Sequence, residues 1–267
     1  MSKKLQILIV IMFGLLLLIS FSSVVYLYEN RAKIFVFLKK LNYGHDEIYD
    51  GSIKVGEEYI VTDDTHIYWA KKIMNGGYIL HFRHAERDKW IDVNMYDAME
   101  SDLHNNGLNE SRYAEKDYFG KAVCLNERGK IQAKAMGENL KYIGLPIGRV
   151  HSSVSCRARQ TADLAFGGYD QLHRILVHTE TYNEDEKTRI KTLTDLYLNF
   201  STSDKKNTIV SAHNSVIKCD MFINDKCPNK PSLEEGGFYV LRKTKDGLVF
   251  EHEFHYFKQF SRVFFER

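Results

Sequence analysis

Apolar residues along most of the chain follow two alternating patterns, short continuous runs and longer stretches at helical spacing. The run YILHF, from Tyr78, is typical of a buried strand. Strands are predicted within residues 78–82, 149–153, 174–179, 207–213, 237–243 and 248–254, the last two as a closing hairpin. Helices are predicted within residues 62–74, 125–144, 157–166, 186–200 and 215–223. The alternation predicts an α/β fold, a three-layer α/β/α sandwich with a mostly parallel central sheet.

The helical spacing also predicts which side chains face the core. For the helix within residues 125–144 these are Ile131, Ala135, Leu140 and Ile143. For the helix within residues 186–200 they are Ile190, Leu193, Tyr197 and Phe200. Either Asp64 or Thr65 is expected to cap the first helix, since both residue types favour that position.

The N-terminus has a different pattern. Residues 5–28 carry no charge and are long enough to cross a hydrocarbon layer of about 30 Å as a helix. We interpret residues 1–30 as a transmembrane anchor, residues 31–65 as a linker and residues 66–267 as the catalytic domain. The alternative is a cleaved signal peptide, for which Ser20 and Ser22 form a weak site. The basic leader favours export of the domain, although the four basic residues after the run argue for the opposite orientation.

Charge and cysteine content narrow the class of protein. The formal net charge of +2 gives no electrostatic reason to expect a nucleic-acid partner. Cys219 and Cys227 could pair across a short loop in an oxidising compartment, whereas Cys124 and Cys156 have no obvious partner. The absence of a CxxC motif argues against a structural zinc site, and no metal or cofactor is expected.

Charged and polar residues lie where the predicted strands end. They are Arg83 and His84; Ser152, Ser153 and Arg157; Glu180 and Glu184; and His213. Ligands of α/β sheets bind at the carboxyl ends of the strands, so these groups are expected in one cleft. Guanidinium groups bind phosphate, imidazole can attack phosphorus, and a carboxylic acid can protonate the leaving oxygen. This combination predicts phosphoryl-transfer chemistry.

Three motifs carry a family resemblance. FRHAE at 82–86, SSVSCRARQTA at 152–162 and VSAHNSVIK at 210–218 resemble the histidine phosphatase superfamily, the phosphoglycerate-mutase-like fold, over about residues 66–257. The segment from Leu125 also resembles the family's LTxxGxxQA pattern, with Gly129, Gln132 and Ala133 in place. The resemblance implies that His84 is the phosphorylated nucleophile. It implies a phosphate pocket formed by Arg83, Arg157 and His213, with Arg87 as a further contact.

The sequence departs from the family pattern at several positions. Ala85 stands where most members have glycine, as in the smaller RHA-type branch. By resemblance Glu184 takes the position of the general acid, with Glu180 as the alternate. Asn214 follows the second histidine, where the acid phosphatase branch has aspartate, which disfavours that branch. The long segment between Arg87 and Leu125 is interpreted as a loop over the cleft that sets substrate choice.

The function predicted from these residues is a membrane-anchored phosphohydrolase that acts through a phosphohistidine on His84. Its expected substrate is a phosphomonoester of a small molecule or glycan. One alternative is a phosphomutase with the same intermediate. Another is a membrane-anchored binding protein that has no catalytic activity. Of the other charged residues, Arg159 is expected on the surface of its helix and His81 inside the fold.

Overall fold

A computed structural model describes residues 62–88, 123–177, 185–228 and 233–265. These residues all belong to one compact unit, Ile60–Arg267. The predicted anchor, nearly all of the predicted linker and most of the predicted loop over the cleft lie outside the described residues. No helix within the described residues is both long and apolar enough to cross a membrane.

A single six-stranded sheet forms the centre of the fold. Its strands are β1 Ile79–Arg83, β2 Ile147–Ser153, β3 Gln171–His173, β4 Asn207–Ala212, β5 Phe238–Lys243 and β6 Leu248–Phe254. Their order in the sheet is β3-β2-β4-β1-β5-β6. Strands β1 to β4 pair in parallel, whereas β5 runs antiparallel to β1 and forms a hairpin with β6. The predicted mostly parallel sheet with a closing hairpin is confirmed.

Helices cover both faces of this sheet. They are α1 Asp64–Ile73, α2 Glu127–Ile143, α3 Cys156–Phe166, α4 Glu186–Asn199 and α5 Phe257–Phe265. Leu80 and Phe82 of β1 pack on the side of α1, α2, α3 and α5, while Ile79 packs on the side of α4. This division follows from the alternation of side chains along a strand. It produces the predicted α/β/α layers.

Two sequence predictions about the helices need correction. The cap of α1 is Asp63, whose carboxylate accepts a hydrogen bond from the backbone N–H of His66, and not Asp64 or Thr65. Helix α5 was not predicted, although its Phe260 is fully buried in the core.

The buried face of α2 also differs from the prediction. Ile131 is 68% exposed and Ala135 is exposed as well. Leu140 is buried as predicted, and Ile143 packs against the core, but the other buried residues of α2 are Gly129, Ala133 and Met136. The reason is steric, because a Cβ atom at Gly129 would collide with the carbonyl oxygen of Glu86. The smallest side chains of α2 therefore face the loop after β1, and a bulky residue on that face would hold the helix away from it.

Two further segments adopt shorter elements than predicted. In the predicted strand 174–179, Arg174–Leu176 is a 3₁₀ turn that follows β3, and residues 178–179 lie outside the described residues. Residues 215–223 do not form an α-helix but contribute to the turns Asn214–Val216 and Cys219–Met221. Val216, Ile217 and Met221 are nevertheless buried in the core on the α4 side of the sheet. The apolar pattern predicted the burial of these residues correctly, whereas the prediction of a continuous helix was wrong.

Both pairs of cysteines form disulfides. Cys219 pairs with Cys227, as predicted. Cys124 pairs with Cys156, with Cα atoms 4.8 Å apart and a sequence separation of 32 residues. This second bond ties the segment before α2 to the first residue of α3.

Candidate active site

Three elements bring His84, His213 and Arg157 together at the carboxyl edge of the sheet. His84 directly follows β1 and His213 directly follows β4. These strands are parallel neighbours in which Arg83 lies opposite Ala212, so the two histidines emerge side by side. The backbone N–H of His84 donates to the carbonyl of Ala212 at 3.0 Å, and the two imidazole centroids are 5.2 Å apart. Arg157 is the second residue of α3, the helix that follows β2 in the chain.

The guanidinium of Arg157 lies between the two imidazoles. Its Nε donates to Nε2 of His84 at 3.2 Å, and its Nη2 lies 3.4 Å from Nδ1 of His213. Its Nη1 donates to the carbonyl of Val123 at 3.4 Å. The residue is only 1% exposed. A cation buried this deeply favours an anion beside it, because removing charge from water is costly without a partner of opposite sign.

The hydrogen bonds of His84 determine which of its nitrogens can react. Nδ1 lies 2.7 Å from the carbonyl oxygen of Ala85, which only accepts hydrogen bonds, so Nδ1 carries the hydrogen. Nε2 therefore presents its lone pair toward Arg157. Burial, followed by the charges of Arg157 and Arg83, holds the pKa of His84 well below its usual value near 6.5. The imidazole is thus a neutral nucleophile at physiological pH.

His213 is held through both its ring and its backbone. Nε2 of its ring lies 3.1 Å from the hydroxyl of Ser155. The carbonyl of His213 accepts a hydrogen bond from Nε2 of His81 at 2.9 Å, and Nδ1 of His81 lies 2.6 Å from the Tyr197 hydroxyl. Burial lowers the pKa of His81 to about 4, so this ring is neutral and Tyr197 donates to it. His81 lies inside the fold, as predicted.

Arg83 pairs with an acid near the edge of the site. Its Nη2 lies 3.0 Å from the carboxylate of Glu235, and its Nη1 donates to the carbonyl of Leu233. Arg83 and Arg87 both contribute to lowering the pKa of His84, so their charges act on the nucleophile. Nη1 of Arg87 donates to the carbonyl of Asp88 at 3.0 Å. The two predicted acid candidates, Glu180 and Glu184, lie outside the described residues.

The loop after β1 is supported by the segment that resembles LTxxGxxQA. The amide oxygen of Gln132 accepts from the backbone N–H of Glu86 at 2.9 Å, and its amide nitrogen donates to the carbonyl of Glu235 at 2.8 Å. Gln132 thereby links the loop that carries His84 to the turn that pairs with Arg83. Thr161 of α3 accepts from the backbone N–H of Ala85 at 2.9 Å. Helices α2 and α3 together fix the position of the nucleophile.

Sequence reasoning missed several contacts of this site. Ser155 lies two residues before Arg157, and nothing in a single sequence marks that position as a contact of His213. Glu235 lies in a turn far from β1 in the chain, so only the fold reveals its pairing with Arg83. Arg159 was expected on the surface but is 5% exposed, and its Nε donates to the carbonyl of Val154 at 2.9 Å. The prediction was wrong because the first turns of α3 are buried on most sides.

A metal site is not apparent in the parts of the chain that the structure describes. No group of three or more histidine, cysteine, aspartate or glutamate side chains there is placed to hold an ion.

Comparison with known proteins relates part of this chain to a known family. Residues 107–180 match the profile of the histidine phosphatase superfamily (branch 1). No curated protein sequence matches the chain. The match supports the superfamily that the three motifs predicted, and it leaves the RHA-type branch untested. It also supports phosphatase or mutase activity that uses a histidine.

Three solved structures illustrate the similarity of fold. One is the protein histidine phosphatase SixA complexed with tungstate, with 14% identity, a TM-score of 0.40, and coverage of 66% of this chain and 95% of SixA. Another is phosphoglycerate mutase from Bacillus anthracis str. Sterne, with 15% identity, a TM-score of 0.44, and coverage of 71% and 98%. A third is a putative alpha-ribazole-5'-P phosphatase from Escherichia coli str. K-12 substr. MG1655, with 14% identity, a TM-score of 0.40, and coverage of 67% and 97%.

Proposed function

We propose, from the geometry of the site and the match of residues 107–180 to the histidine phosphatase superfamily, that this chain is a phosphohydrolase acting on a phosphomonoester. The reaction passes through a phosphohistidine on Nε2 of His84. The observation that carries this proposal is the position of Arg157, which donates to that nitrogen and also lies against the imidazole of His213. A phosphoryl group entering between these three side chains would meet a nucleophile and an anion-binding group together.

The proposed reaction has two steps. Nε2 of His84 attacks phosphorus, the bond from phosphorus to the leaving oxygen breaks, and a carboxylic acid gives that oxygen a proton. Water then attacks phosphorus as the carboxylate takes a proton from it, the bond from nitrogen to phosphorus breaks, and His84 and the carboxylic acid are regenerated with release of inorganic phosphate. Arg157 and His213 bind the oxygens whose negative charge must be stabilised in both transition states. We assign the acid to Glu184, with Glu180 as the alternate, on the family resemblance alone.

Hydrolysis is favoured over the mutase alternative by the state of Arg83. A mutase must retain a bisphosphate, which requires cationic contacts for a second phosphate group. The charge of Arg83 is already paired with Glu235, which leaves the site suited to a single phosphoryl group. A binding protein without catalytic activity is disfavoured because His84, Arg157 and His213 are brought together in the geometry that phosphoryl transfer requires.

We also propose an exported location and a phosphorylated small-molecule or glycan substrate. The uncharged residues 5–28 support a single membrane anchor. The two disulfides support an oxidising compartment, where such bonds persist. The net charge of +2 does not favour a nucleic-acid substrate.

The test of the proposed function is His84→Ala in the full chain. The variant should lose hydrolysis of p-nitrophenyl phosphate while remaining folded, because the site offers no second nucleophile in the same position. Rapid quench with a ³²P-labelled phosphomonoester should trap acid-labile, base-stable label on the wild type only. His255→Ala, a histidine outside the site, serves as the control and should retain both signals. Label that persists on the His84 variant would contradict the assignment.

A further inference from the structure

Glu235 is a nearly buried acid at the edge of the candidate active site, with a side chain that is only 9% exposed. Its carboxylate lies 3.0 Å from Nη2 of Arg83, whose side chain is 17% exposed. Arg83 directly precedes His84 in the chain, and its positive charge contributes to the lowered pKa of that histidine. Glu235 therefore places a negative charge against a cation that adjoins the nucleophile.

The backbone of Glu235 is held in place without help from its side chain. Its carbonyl accepts a hydrogen bond from the amide nitrogen of Gln132 at 2.8 Å. The backbone N–H of Gly236 donates to the carbonyl of Arg83 at 3.2 Å, and the backbone N–H of Arg83 donates to the carbonyl of Gly237 at 2.9 Å. Gly236 has a φ of +80°, a conformation that favours glycine. The turn should therefore survive a change in the side chain of Glu235.

The pair of Arg83 and Glu235 affects which ligands the site can bind. A phosphoryl group at His84 is attracted by the cationic side chains around it. A second anionic group on the same ligand would be attracted by Arg83 but repelled by the carboxylate of Glu235. Because both side chains are largely removed from water, salt screens that repulsion only weakly. The arrangement accepts one phosphoryl group and disfavours a further negative charge beside it.

We propose that Glu235 is a specificity-determining residue, which selects phosphomonoesters with an uncharged alcohol part over those that carry a carboxylate. This inference rests on the proposed function, because it narrows the substrate class of the same site. The substrate is then the phosphate ester of a neutral alcohol, such as a sugar hydroxyl. Glu235 acts by offsetting the charge of Arg83, so removing its negative charge should let the site accept an acidic ester.

The binding of two esters of equal chain length measures this selection. Ethyl phosphate ends in an uncharged methyl group, where phosphoglycolate carries a carboxylate. Isothermal titration of the full chain carrying His84→Ala measures both affinities without turnover, and this background should bind ethyl phosphate more tightly. Adding Glu235→Gln should shift the ratio of the two dissociation constants about tenfold toward phosphoglycolate, because a like charge is removed from a poorly hydrated site. Glutamine keeps an oxygen that accepts from Arg83, so the variant should fold.

Glu251→Gln in the same background is the matched control. The side chain of Glu251 is 11% exposed and pairs with Arg242, which gives a second arginine–carboxylate contact, here within the hairpin of β5 and β6. This variant should leave the ratio unchanged. Adding Arg83→Gln to Glu235→Gln should abolish the shift toward phosphoglycolate, because the cation that would bind its carboxylate is then removed.

Several results would overturn the proposal. They are equal affinity of the His84→Ala chain for the two esters, binding of neither ester, an unchanged ratio in Glu235→Gln, and a shift in Glu251→Gln as large as in Glu235→Gln. A shift that persists after Arg83→Gln would also overturn it. A wild-type chain that binds ethyl phosphate selectively but hydrolyses no phosphomonoester would contradict the proposed function alone.

Discussion

At the scale of single residues, the chemistry depends on a lone pair at one nitrogen of His84. Three features keep it available, namely burial of the ring, the Nδ1 hydrogen bond to the carbonyl of Ala85, and the positive charges of Arg157 and Arg83. Burial and the two positive charges disfavour protonation of Nε2. The bond to Ala85 keeps the hydrogen of the neutral ring on Nδ1. The guanidinium of Arg157 would also stabilise a negatively charged phosphoryl group once it is attached to Nε2.

The lowered pKa of His84 predicts its titration behaviour. Its pKa lies well below 6.5, so the ring should remain neutral as the pH falls through 6.5, where an ordinary histidine takes up a proton. ¹⁵N-NMR of the full chain between pH 8 and pH 5.5 should show constant shifts for His84, identified by its absence in His84→Asn. The urea-unfolded chain provides the control, since its histidines should titrate near 6.5. A His84 inflection near that pH would show that the ring is not desolvated as described.

At the scale of elements, the position of Arg157 depends on how α3 is attached. Cys156, the residue before Arg157, forms a disulfide with Cys124. Nη1 of Arg157 donates to the carbonyl of Val123, the residue before Cys124. The covalent bond and the hydrogen bond therefore join the start of α3 to the chain that leads into α2. A change that frees this connection should affect both stability and anion binding.

The double variant Cys124→Ser/Cys156→Ser tests this connection. Chain-entropy arguments for the 32-residue separation predict a loss of about 4 kcal/mol in the free energy of unfolding. Vanadate affinity should fall as well, because the guanidinium of Arg157 would no longer be held beside His84 and His213. Urea denaturation and inhibition assays measure the two effects.

The other disulfide provides the control for that experiment. Cys219→Ser/Cys227→Ser opens a separation of only 8 residues, for which the same argument predicts about 2.5 kcal/mol. This variant should keep the vanadate affinity of the wild type, since neither cysteine adjoins Arg157. Equal losses of affinity in both double variants would mean that the Cys124–Cys156 bond does not position the arginine.

At the scale of the whole molecule, several buried histidines make stability depend on pH. Burial lowers the pKa values of His81, His151 and His252 to about 4 each. Between pH 6.5 and pH 4 the unfolded chain binds protons at these positions while the folded chain does not. Stability is therefore fully present above pH 6.5 and is lost as the pH falls toward 4.

His81 is fully buried, so its share of this loss of stability can be assigned. A shift of this size corresponds to about 3 kcal/mol of stability lost by pH 4. Urea denaturation at intervals from pH 7.5 to pH 4.5 should show the decline. His81→Gln retains a donor for the His213 carbonyl but cannot titrate, so its stability should decline less steeply. The same dependence of the free energy of unfolding on pH in this variant would show that His81 does not cause the decline.

The sequence alone determined the architecture and the place of the chemistry. Apolar periodicity is a local property, so it predicted β1, β2, β4 and the final hairpin. The charged residues that follow those strands then indicated a site at the carboxyl edge of the sheet, because parallel strands end at the same edge. His84, Arg157 and His213 are brought together there, as that argument expects.

Tertiary structure alone decided how the side chains are paired. The bond between Cys124 and Cys156 and the pairing of Arg83 with Glu235 join positions far apart in the chain. The exposure of Ile131 has the same origin, since helical spacing defines an apolar face but not which neighbour requires small residues. Contacts between residues far apart in the chain leave no repeating pattern in a single sequence. They are therefore known only from the packing of α2 and α3 against the loop after β1.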